Sequence, residues 1–72
     1  MEALLQEMIV RQQLKLLSVA QGKVSHITQE DILQPQDYPE LEMDPEFRFE
    51  EGLLVGLQAA LAAIRADRSV TL

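Results

Sequence analysis

"GLLVGLQAALAAI", residues 52–64, decides the fold, because a single polar side chain, Gln58, interrupts thirteen otherwise apolar or glycine positions. A helix greasy on every side belongs in a core or at an interface. Crossing a bilayer takes roughly 20 such residues, and this run stops at "RADR", residues 65–68. No membrane insertion is therefore expected. At about 100° per residue, Phe49, Leu53, Leu57, Ala60 and Ile64 form the principal stripe, flanked by Phe47, Leu54 and Leu61. Gly52, Gly56, Ala59 and Ala63 lie on the other side, a set of small residues that lets a second helix approach closely.

Outward from that stretch, the start of the helix is well marked. Asp44 suits an N-cap, Pro45 the first helical position, and Glu46, Glu50 and Glu51 the positive end of the dipole. The helix is expected over 45–67, with 68–72 as a frayed tail. A first helix is expected over about 2–21, terminated by Gly22 with Lys23 at its negative end. One face of it collects Met1, Leu5, Met8, Ile9, Leu16, Val19 and Ala20, interrupted by Gln12, which fixes register or sits at the edge. A second row, Ala3, Val10, Leu14, Leu17 and Val24, lies more than about 100° away. Two apolar rows on one helix need two partners.

Between them, residues 22–44 form an acidic linker that holds Pro35 and Pro39 and leads into Pro45. In "ITQEDIL", residues 27–33, Thr28 and Asp31 have the spacing of a capping box, with Ile27 and Ile32 as its staple. Pro35 pushes Gln34 out of the helical region, so "QPQDYPELEMD" is expected to be extended or loosely turned, pinned by Tyr38 and Leu41. About twenty residues is long for such a connection. Laid along the bundle, it would cover apolar surface and make a monomer self-sufficient.

The bulk properties narrow the function. Seventy-two residues make one small domain, whose core seldom supplies more than about 3–5 kcal/mol. With no cysteine and one histidine, disulfides and thiolate sites are excluded. The Leu- and Ala-rich, aromatic-poor composition favours helices. Segments 1–24 and 52–72 each carry a net charge of +1 and residues 25–51 carry −8, so nucleic acid is not an expected partner.

The acids do not follow the pattern of a calcium-binding loop, and no Glu-x-x-His pair marks a di-iron bundle. A solvated acidic face is the plainer account of them. His26 reads as a turn residue, and Ser18 and Thr28 lack a base nearby in sequence. No catalytic, cofactor or metal residue is assigned.

The expected fold is all-α, an antiparallel helical hairpin whose long linker carries a short helical turn and which dimerises into a four-helix bundle. Its helix-packing and dimer residues are Val10, Leu14, Leu17, Gly52, Gly56, Leu57, Ala59, Ala60, Ala63 and Ile64. The expected function is a non-enzymatic, cytoplasmic protein–protein interaction module. A basic partner could dock at Asp37, Tyr38, Glu40, Leu41, Glu42 and Met43. The alternatives are a subunit of a larger hetero-assembly and a ligand- or metal-binding bundle.

Overall fold

A computed structural model describes residues 1–70, with the backbone alone at 69 and 70. Helix α1 spans Glu2–Lys23 and a short helix α2 spans Pro39–Glu42. Helix α3 spans Pro45–Val70 and lies against α1. Lys15 pairs with Glu50, and Glu2 with Arg65 and Arg68, so the two long helices run antiparallel. Among the described residues there is no strand.

In the connector, the short helical turn expected within residues 27–33 forms as a 3₁₀ turn at Asp31–Leu33. The stretch after it departs from expectation: instead of running extended or loosely turned, it folds into a second 3₁₀ turn at Pro35–Asp37 and then into α2. Pro35 and Pro39 each open one of these turns, where a missing amide proton costs nothing. Tyr38 and Asp37 amides close the second turn onto Pro35 and Gln34 carbonyls. The capping box at its start is formed. The Thr28 amide donates to Asp31 Oδ2 at 3.0 Å, and the Asp31 amide donates back to Thr28 Oγ1 at 3.4 Å.

Helix ends shift by a few residues for identifiable reasons. Gly22 does not terminate α1; the helix passes through it, and Val24 ends it with φ −132° and ψ 98°. Among the described residues none adopts positive φ, so the flexibility of Gly22 is not used. Lys23 bridges to Asp44 and Glu46, both at 3.4 Å, which ties the end of α1 to the start of α3. Hydrogen bonding to Asp44 is the main reason its ammonium is held above its ordinary pKa. Asp44 caps α3 as expected, accepting the Phe47 amide at 2.8 Å. At the far end α3 continues three residues beyond position 67, and Thr71 and Leu72 of the expected tail lie outside the described residues.

The core is gathered at one end. Leu16, Ala20 and Val24 of α1 and its cap meet Ile27, Ile32 and Leu41 of the connector and Phe47 of α3, with Tyr38 and Leu54 packed alongside. Phe47, Ile27 and Leu41 are its largest fully enclosed side chains. The radius of gyration is 14.2 Å in a molecule of 46 × 19 × 19 Å; a compact chain of this length would have about 11 Å. Beyond the core, the remaining length is two helices side by side.

Phe47 should therefore decide folding. Truncating a buried Phe costs about 3–5 kcal/mol, which equals what a core of this size supplies. Phe47→Ala is expected to lose its cooperative thermal transition by circular dichroism, whereas Phe49→Ala, at an exposed position, keeps it.

Candidate functional site

From the core outward along the seam, α3 turns Leu54, Leu57, Leu61 and Ile64 toward α1, and α1 answers with Leu5, Ile9 and Leu16. Only Leu16 and Leu61 of these reach full burial. The stripe read from the sequence, centred on Phe49, Leu53 and Ala60, is thus rotated by roughly 70° from the face that α3 presents to α1. Its edge, Leu57 and Ile64, enters the hairpin. Phe49 and Leu53 stay 64% and 43% exposed.

A buried polar contact crosses this half-buried seam. Gln12, whose role the sequence left open, sends its amide to Glu50 Oε1 at 2.7 Å and to the Glu50 carbonyl at 2.9 Å. Glu50 is itself buried, and Lys15 lies 3.4 Å from its other oxygen. Glu50 therefore belongs to the helix–helix seam rather than to a solvated first turn. The Gln12 hydrogen bond, with a smaller contribution from Lys15, holds its carboxyl below the usual carboxylate range. Glu51 faces elsewhere and pairs with Arg48. Arg65 and Arg68 close the far end on Glu2, beyond any service to the helix dipole.

Two sides of the helix pair can now be told apart. Gln13 and Leu16 share a groove with Val55 and Gln58, which defines one side. Leu4 and Met8 lie more than about 100° round α1 from Gln13, and Leu53 and Ala60 are as far round α3 from Gln58. Those four residues therefore share the opposite side. Leu4 is 57% and Met8 39% exposed. With Phe49 they make an apolar face contributed by both helices.

The expected packing residues divide among these surfaces. Leu57 and Ile64 are half-buried against α1, and Ala60 sits on the apolar face beside them. Leu17 packs on the core. Val10 and Leu14 are exposed on the flank and back of α1, away from the Leu4 and Met8 side. Gly52, Gly56, Ala59 and Ala63 are exposed on α3, turned away from α1. Apart from the adjoining backbone of α3 itself, no described atom comes within 4 Å of a Cβ placed at Gly52 or Gly56, so the close crossing read from these small residues is not made inside the hairpin.

The acidic docking stretch is also reapportioned. Leu41 is wholly buried and Tyr38 packs on the core; both anchor the connector. Burial, then the charge of Asp31, pushes the Tyr38 phenol above its ordinary pKa. Asp37, Glu40, Glu42 and Met43 remain exposed. His26 is exposed in the turn after α1. Among the described residues no three His, Asp or Glu side chains gather as a metal-holding group, and no helix is long and apolar enough to cross a membrane. No family model, curated protein or solved structure matches the chain.

Two outcomes follow. Because Glu50 binds its proton more weakly when folded, its contribution to stability is present above the ordinary glutamate value of about 4.3 and is lost as pH falls through the lower folded value. Asp31, held down by its Thr28 hydrogen bonds, adds in the same direction. Urea midpoints measured from neutral to acid pH should fall less steeply in Glu50→Gln than in the native chain. Gly56→Ala should raise hairpin stability by up to about 1 kcal/mol, read from the same midpoints.

Proposed function

We propose that this chain is a non-enzymatic helical interaction module that acts as a homodimer, two hairpins closing into a four-helix bundle. The apolar face built by Leu4 and Met8 of α1 with Phe49, Leu53 and Ala60 of α3 is the observation that supports this reading. In a four-helix bundle each helix packs on two neighbours, so each needs one broad apolar sector instead of a single seam. The α3 sector spans Leu54 and Leu61 on one edge and Phe49 and Ala60 on the other. The α1 sector spans Leu5 and Ile9, then Leu4 and Met8.

Self-pairing suits this face because both helices contribute to it. A two-fold axis would set each face against itself, which is the commonest way that a small chain closes an assembly. It would also complete the burial of Leu5, Ile9, Leu57 and Ile64, which the hairpin leaves half done.

Sedimentation equilibrium at micromolar concentration tests the proposal. The native chain should run at about 16 kDa, twice its 8.1 kDa, and Leu53→Glu should run as the monomer with reduced helicity. A fully helical native monomer at high concentration defeats the homodimer. A chain that is soluble only with another polypeptide places the face against a different protein.

A further inference from the structure

On the side away from that face, a groove of about 190 Å³ opens between α1, α3 and the connector, with Leu16, Ile32, Leu33, Leu54 and Val55 as its apolar lining. Leu33 is 79% and Val55 57% exposed, so the groove's own rim leaves two large apolar side chains in water. Leu33 also lines a second, polar concavity shared with Glu30, Asp31 and Asp37. One leucine thus stands between an apolar slot and an acidic one.

We propose that this groove docks a basic amphipathic segment of another protein, seating one apolar side chain against Leu33 and Val55 and placing a flanking Lys or Arg by Glu30 and Asp37. Charge selects this occupant. Residues 25–51 carry a net charge of −8, and the one cation among them, Arg48, is engaged by Glu51 and by the Glu42 carbonyl. No ion pair within the described residues involves Glu30 or Asp37. Their field favours an incoming cation. A second copy would bring the same acidic connector against this one, and anionic lipid or nucleic acid would be repelled.

The apolar slot supplies what the acids cannot, a fixed register for the segment. The docking site is separate from the dimer face and exists on a hairpin whether or not two hairpins pair.

The test titrates the isotope-labelled native chain with a synthetic Lys-rich helical peptide carrying one central Phe, and follows amide shifts. Saturable shifts at Gln13, Leu33, Val55 and Gln58 are expected, weakening with added salt. Phe→Ala in the peptide, or Leu33→Ser or Val55→Ser in the protein, should weaken binding by about tenfold or more. Both protein positions are exposed, so an unchanged circular dichroism melt verifies that the variants fold. No saturable shift, shifts centred on Leu4 and Leu53, or binding indifferent to the Phe and to both serine variants would each overturn the proposal. Sedimentation of the same samples reports the dimer separately.

Discussion

The structure depends on a knot of large side chains at one end of a two-helix rod. Phe47 comes from the first turn of α3, Leu41 from α2, Ile27 and Ile32 from the connector, and Leu16 and Ala20 from α1. Two helices alone cannot enclose a phenylalanine, since each covers only one flank of the other. The connector supplies the third wall. That is why it is folded into successive turns rather than stretched across the gap, and why it is several times longer than a helix–helix link requires.

Away from this knot the physics changes. Along the outer half, Leu61 alone of the described residues is buried, and the seam depends on half-covered aliphatics and on charge. The Gln12–Glu50 contact sits between the two regimes. Both groups would be costly to bury alone, since an unpaired polar group in an apolar setting forfeits its water without compensation. Paired, they admit one alignment of the helices, because a slide along the seam would strand both. The same logic makes polar pairs useful as register marks in coiled coils.

Much of this was legible in the residues themselves. The Asp44 cap and the Thr28–Asp31 box follow from local chemistry that needs no tertiary partner, and the all-α hairpin and the anchoring of Tyr38 and Leu41 follow from apolar positions that a short chain must cover. What local pattern could not supply was the rotation of α3. A helix apolar around most of its circumference does not say which flank meets which neighbour. The choice was made by Phe47, whose position next to the cap commits the face running through Leu54 and Leu61. Glu50 was misplaced for the same reason: three residues beyond Phe47, it is carried into the seam with it. The spacing 47, 50, 54, 57, 61, 64 is the signal that could have revealed this, had the acid been allowed a place among apolar positions.

The asymmetry of the rod has a mechanical consequence. With the connector locking one end, the helices can part only from the other, like the jaws of a peg hinged at Phe47. The catch on those jaws is ionic, Glu2 held by Arg65 and Arg68, and solvent-exposed ion pairs of that kind loosen as salt rises. Added salt therefore weakens this catch and leaves the half-buried aliphatics Leu5, Ile9, Leu57 and Ile64, with Leu61, to hold that end.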